Sequence, residues 1–371
     1  MTKLLHLEYK KGIHYPSLDG LRGMAVMLVF IRHTMSYVQI FRLGWIGVDL
    51  FFVLSGFLIT GILYDSKNEV DYYKNFIVRR ALRIFPLYFF FILLIIWVLP
   101  NLFPAVFTGM SYYQDHQAWY WFYISNWLPY GTAYKTSTLL DHLWSLSIEE
   151  QFYLCWPFFV LLFRGKVLIK ISVFLICCAI AIRYTGSPLL GKVEVFEYFN
   201  TFTRIDSLLI GALIAILYRF KPEFLIKSAL PALILSTFVI ALIIIHQKKL
   251  DFPKLVDTFT LWDIFFGAIL IFSISQKNNW LKSLLGTRVF KFFGKYSYGL
   301  YVYHQPVNKL MFDKVIGPMQ INFPYLPIVA TMTCLGITIV IALLSYNLIE
   351  KPFLRLKKYF EPANHQPVNL P

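Results

Sequence analysis

Residues 17–37 read SLDGLRGMAVMLVFIRHTMSY. A bilayer core takes about 20 helical residues, so the run is of membrane length. It nevertheless carries Asp19, Arg22, Arg32 and His33. A charge at the bilayer centre costs roughly 2.5–3.5 kcal/mol on insertion scales, so ionisable residues at that depth face protein interiors and mark functional sites. Arg22 and His33 are eleven residues apart. At ~100° and ~1.5 Å per residue they lie about 20° from a common face and roughly 16 Å apart along the axis. The first span thus links a cationic end to an imidazole three turns deeper.

Working outward, the rest of the chain has the same apolar character. Of 371 residues, 58% are hydrophobic and 15% charged, and the mean hydropathy is +0.59. Soluble domains average about 45–50% apolar and 25% charged residues. Only helices and closed barrels satisfy their backbone in lipid. The apolar runs here are continuous, whereas barrel strands alternate over short segments. The sequence therefore predicts an all-α, polytopic membrane protein of about ten transmembrane helices. These fall at 17–37, 45–64, 84–103, 144–163, 167–184, 198–218, 228–246, 258–275, 293–310 and 325–349. The aromatic stretch WYWFYISNWLP, 119–129, is too short to span comfortably and reads as interfacial or re-entrant.

The net charge of +15 does not point to nucleic acid, because the basic residues sit in loops between spans. With the N-terminus in the cytoplasm, RRALR, RFKPEFLIK and EKPFLRLKKYF all fall inside, as the positive-inside rule requires. The expectation is one transmembrane domain over 16–355 in the inner (cytoplasmic) membrane, surrounded by lipid. Short tails, 1–15 and 356–371, would both be cytoplasmic. No cleavable signal pattern stands at the start. Cys155, Cys177, Cys178 and Cys334 lie in apolar stretches without metal-ligand or disulfide spacing, so no metal is expected.

The polar residues of the spans divide between two levels. Arg22, Arg79, Arg80 and Arg83 lie on the inner side, and the spacing puts Arg80 and Arg83 on one helix face. Clustered guanidinium groups suit phosphate recognition. Arg79 reads better as a lipid-headgroup contact. His33, Asp49, Asp141, His142, Glu149, Glu150, Arg204, Asp206 and His304 lie in the outer half. His142 and Glu149 are two turns apart on one face, with Ser145 close to it. Ser55 and Gly56 permit close helix packing. Arg204 and Asp206 are equally well read as a structural pair, with each other or with other charges. A lone buried histidine is more often a packed residue than a catalyst. His33 differs because carboxylates from other spans are expected beside it, and a histidine with a carboxylate serves as a general base near neutral pH. The whole arrangement suits a long, phosphate-bearing donor whose reactive end meets His33.

Seven segments in order, SLDGLRGMAVMLVFIRH, GWIGVDLFFVLSGFLITG, RRALRIFPLY, HLWSLSIEEQFYLCWP, RIDSLLIGALIA, GKYSYGLYVYHQPV and NLIEKPFLR, resemble the acyltransferase-3 family from about Pro16 to Arg355. That family includes bacterial O-acetyltransferases of surface glycans. The resemblance implies a catalytic role for His33 and donor binding by Arg80 and Arg83. The family's Arg–ten residues–His motif falls on Arg22 and His33, its Phe-Phe-x-x-Ser-Gly motif on Phe51, Phe52, Ser55 and Gly56, and its His-x-Trp-Ser-Leu glutamate on Glu149.

The combined reading is a membrane O-acyltransferase without bound cofactor that takes acyl-CoA, chiefly acetyl-CoA, from the cytoplasm. Arg22, Arg80 and Arg83 would hold the donor phosphates. His33 would act as base, oriented by Asp49 or Glu149, or would itself carry the acyl group. His142, Ser145, Ser55, Arg204, Asp206 and His304 would bind substrate or support the site. The acceptor would be a glycan or lipid-linked sugar, with Trp119, Trp121 and Trp127 as stacking surfaces or as an interfacial belt. The chain is expected to lack the fused esterase domain found in some members, which leaves room for a separate periplasmic or extracellular partner. The rival reading is a transporter or flippase that moves an acyl donor or lipid-linked glycan without bond chemistry.

Overall fold

The computed structural model describes residues 15–128, 139–185, 198–247, 258–275, 280–316 and 325–360. All ten segments expected to span are helical, and the described residues contain no strand. The principal helices are α1 (Pro16–Thr34), α2 (Ile46–Asp65), α3 (Tyr72–Leu93), α4 (Trp144–Leu162), α5 (Gly165–Thr185), α6 (Thr201–Phe220), α7 (Pro222–Gln247), α8 (Phe259–Ile274), α9 (Arg288–Lys295), α10 (Ser297–Leu310) and α11 (Leu326–Ser345). Among the described residues, six helices are long and apolar enough to cross a membrane, including α3, which runs on to Leu102, and α11, which runs on to Phe360. The helix α1 is excluded from that set by the same polar residues that make it interesting.

The third span differs from its expected bounds. The helix starts at Tyr72, two to three turns before Arg79, Arg80 and Arg83, so these arginines stand inside it and not at its entry. The polar start YYKN hides the helix from a hydropathy reading. The stretch 119–129 forms only two helical pieces, Gln117–Trp121 and Ser125–Trp127, too short to cross. It packs sideways onto α4. Gln151 Nε2 donates to Tyr123 O at 2.8 Å and to Asn126 Oδ1 at 2.8 Å, and Thr201 Oγ1 donates to Gln151 Oε1 at 2.5 Å. Trp121 stacks on Phe89 and Trp127 meets Phe202 edge-on, so both rings already have protein partners.

The centre of the bundle is α2. Val48, Phe52 and Ile59 join one core with Tyr88, Phe91, Phe152 and Val302, while Leu50, Val53 and Phe57 join another with Leu21, Ile214 and Leu270. The helix achieves this by packing backbone to backbone on α6. A Cβ at Gly56 would strike Leu208 O, and one at Gly211 would strike Val53 O, so glycine is needed on both sides of the crossing. The helices α5 and α7 lie at the periphery, with only 22% and 17% of their apolar windows buried against 72% for α2. The central helices α1, α2, α3, α4 and α10 thereby surround an interior site.

Candidate active site

A cavity with an empty volume of about 680 Å³ lies among these five helices. Arg22 of α1 and Arg80 and Arg83 of α3 line it, with Ser55 of α2, Ser145, Glu149 and Tyr153 of α4, and Tyr301 of α10. Helical spacing explains each set: Arg80 and Arg83 are three apart, and Ser145 and Glu149 four apart, so each pair shares a face. Ser55 Oγ donates to Glu149 Oε1 at 2.5 Å. The Arg80 guanidinium lies 5.2 Å from the centre of the Tyr153 ring. Arg22 Nη1 donates to Asp19 at 3.2 Å. Three guanidinium groups therefore answer Glu149 and, behind Arg22, Asp19. The cavity keeps a cationic excess in a low-dielectric setting, which favours an anionic, phosphate-bearing ligand.

His33 stands at the far end of α1 from Arg22 and is exposed. His142 and His304 beside it are buried. The ring centres of His33 and His304 are 5.0 Å apart, and those of His142 and His304 are 5.1 Å apart. Backbone carbonyls fix the tautomers, because a carbonyl accepts only from N–H. His304 Nδ1 donates to Tyr301 O at 2.6 Å, which leaves its Nε2 as an acceptor. His33 Nδ1–H is then shared between Val29 O at 2.9 Å and His304 Nε2 at 3.3 Å. His142 Nε2 donates to Val302 O at 3.0 Å, so its Nδ1 keeps a lone pair. In this assignment His33 Nε2 presents an unshared lone pair on an exposed imidazole, which is what proton acceptance from a hydroxyl requires.

The wall between the arginines and the histidines is Tyr301. Its ring lines the cavity, its hydroxyl donates to His142 O at 2.8 Å and lies 2.6 Å from Ser145 Oγ, and its carbonyl holds His304. Tyr301 lines the arginine cavity, and none of the three histidines does.

The expected carboxylate beside His33 is not found there. The Asp49 carboxylate accepts from Arg204 Nη2, in a pair with no solvent exposure. Asp206 does not pair with Arg204; it binds Arg183 at 2.7 Å and accepts from Thr260 at 2.7 Å. Asp263 accepts from Ser207 at 2.9 Å. Arg204 also lies 4.0 Å from the centre of the Phe259 ring. Asp49, Arg204 and Asp206 thus belong to a buried ionic network that ties α2, α5, α6 and α8 together. Glu149 faces the arginine cavity through Ser55, and Val29 O and His304 Nε2, not a carboxylate, share the His33 Nδ1–H.

Arg183, Asp263 and Tyr301 escaped the sequence reading. Asp263 had a usable signal, a single acidic residue in the apolar run LWDIFFG. Arg183 sits near the end of its span and looks like a boundary charge. One tyrosine of 24 carries no signal of its own.

A family profile described as "Acyltransferase domain" matches residues 15–346. The chain belongs to this acyltransferase family. It is 32% identical over 377 residues to OatA, the peptidoglycan O-acetyltransferase of Listeria monocytogenes, covering 95% of this chain and 58% of that protein. It is 32% identical over 374 residues to YrhL of Bacillus subtilis (strain 168), covering 93% of this chain and 56% of the other. The chain thus spans just under three fifths of the length of these relatives. No solved structure matches it. The profile takes in α1 to α11 and every residue of the arginine cavity and the histidine cluster.

Proposed function

We propose that this membrane protein transfers an acetyl group from acetyl-CoA to a hydroxyl of a cell-surface or lipid-linked glycan, and peptidoglycan, the acceptor in the name of OatA, is the acceptor class favoured. One observation carries the reading: three guanidinium groups converge in a cavity whose end wall, Tyr301, also holds the histidine pair. Arg22, Arg80 and Arg83 bind the phosphates of the nucleotide end, and the acyl arm extends past Tyr301 towards His33. His33 Nε2 accepts the proton of the sugar hydroxyl as its oxygen attacks the thioester carbon. The C–O bond forms, the C–S bond breaks, and the proton passes from the imidazolium to the departing CoA sulfur. His304 positions His33 by accepting its Nδ1–H. The Ser55–Glu149 pair orients the donor near the arginines.

Loop charge supports donor entry from the cytoplasm and acceptor entry from the opposite side of the inner membrane, with both termini cytoplasmic. The test is transfer of radiolabelled acetyl from acetyl-CoA to muropeptides by the purified full chain in nanodiscs. Ester formation with stoichiometric CoA release is expected. Movement of donor or glycan across a vesicle membrane without CoA release would overturn the reading in favour of transport.

A further inference from the structure

A second cavity, with about 580 Å³ of empty space that includes its open mouth, lies on the other side of the Arg80–Tyr153 contact, between α3 and α4. The two consecutive glutamates of α4 are divided between the cavities: Glu149 lines the first and Glu150 the second. That division follows from the ~100° turn between neighbours on a helix. Two polar atoms on the wall of the second cavity, Glu150 Oε1 and the Tyr123 hydroxyl, are buried without a hydrogen-bond partner among the described residues. The Tyr123 side chain is 7% exposed. Buried polar groups are nearly always paired, so two orphans on one cavity wall are groups that a ligand in the cavity could partner. The backbone is organised to keep Tyr123 there. It has φ 53°, in the left-handed region, and its carbonyl is held by Gln151 at 2.8 Å. Phe85 stacks on the Tyr123 ring with centres 5.6 Å apart, which adds an aromatic face. Phe122 and Leu154, both well exposed, form the rim and open the cavity sideways to the surroundings of the bundle.

The chemistry of these walls is selective. A carboxylate oxygen accepts hydrogen bonds, a phenol both donates and accepts, and aromatic faces cover the C–H face of a ring. Arg80 at the shared wall disfavours a cationic guest. We propose that the second cavity binds a neutral, hydroxyl-rich sugar ring of the acceptor, distinct from the ring that is acetylated, through Glu150 and Tyr123. This rests on the glycan-acceptor reading above. The ring belongs either to a lipid-linked glycan, whose lipid would remain outside the Phe122–Leu154 rim, or to a free glycan chain.

The test measures equilibrium binding of tritiated glucosyl-diacylglycerol and of tritiated chitotetraose to the full chain in nanodiscs, with acetyl-CoA binding followed in parallel. Wild-type protein is expected to bind at least one sugar probe. Glu150→Gln and Tyr123→Phe should each weaken that binding about tenfold, the scale of one lost hydrogen bond to a charged or desolvated group. Acetyl-CoA affinity should stay unchanged in both. Tyr123→Phe removes only a hydroxyl that no described group uses, so its melting temperature should match wild type and a folding defect cannot imitate the result. Preference for the glycolipid assigns the lipid-linked source, and preference for chitotetraose assigns the free chain; both support the site. Wild type binding neither probe, or both variants binding like wild type, overturns it. Loss of acetyl-CoA binding by the wild type instead overturns the donor reading and leaves the sugar result to stand by itself.

Discussion

At the scale of single residues, the two ends of α1 ask for different experiments. Arg83 faces the cavity and would act on the donor far from the breaking bond. Arg83→Ala should therefore raise the acetyl-CoA KM by about tenfold or more, the loss of one charge-assisted contact, with kcat little changed. Steady-state kinetics with saturating acceptor check this, and a collapsed kcat at unchanged KM would refute it. In the proposed function His304 acts through its neighbour. His304→Ala removes the acceptor for the His33 Nδ1–H, although Val29 O still receives that proton, so transfer should slow but persist. His304→Gln, which restores an acceptor, should recover part of the rate. The positions of Arg22, Arg80, Arg83 and His33 were legible because charge in an apolar run is costly and helical spacing fixes faces. The identity of the partner of His33 was not legible. Spacing places side chains around one helix and says nothing about the rotation of the helix beside it, so Asp49 looked available while Arg204 holds it.

At the scale of elements, ten helices could be read from hydropathy, and the places where the reading slipped share a cause. The start of α3 is polar and the network residue Arg183 sits at the end of α5, where sequence reasoning assigns charge to the interface. The ionic network makes its own prediction. Removing one partner of a buried pair leaves an uncompensated charge and costs about 3–5 kcal/mol, whereas replacing both by apolar groups is far milder. Arg204→Met and Asp49→Leu should each lower the melting temperature in detergent strongly, and the double variant should recover much of the loss. A stable Asp49→Leu variant with abolished transfer would instead give Asp49 a part in the chemistry. The α2–α6 crossing is similarly exact. Gly211→Leu drives a side chain into Val53 O and the backbone at Phe57, and should destabilise the protein by forcing the two helices apart, with light scattering and thermal melts as readouts.

At the scale of the whole molecule, Tyr301 stands between the arginine cavity and the histidine cluster, and the proposed function makes the first the binding end and the second the transfer end. The loop-charge orientation predicts that a single cysteine placed near residue 360 reacts with a membrane-impermeant maleimide only from the cytoplasmic side. The separation itself is tested most directly by His33→Gln, measured for both acetyl-CoA binding and acetyl transfer in one nanodisc preparation. Glutamine keeps hydrogen-bonding capacity and removes basicity. General-base catalysis contributes ~10²–10⁴-fold in rate, so His33→Gln should bind acetyl-CoA with wild-type affinity and transfer acetyl at least about a hundredfold more slowly. Transfer at a near wild-type rate, with donor binding intact, would contradict the assignment of the transfer step to His33.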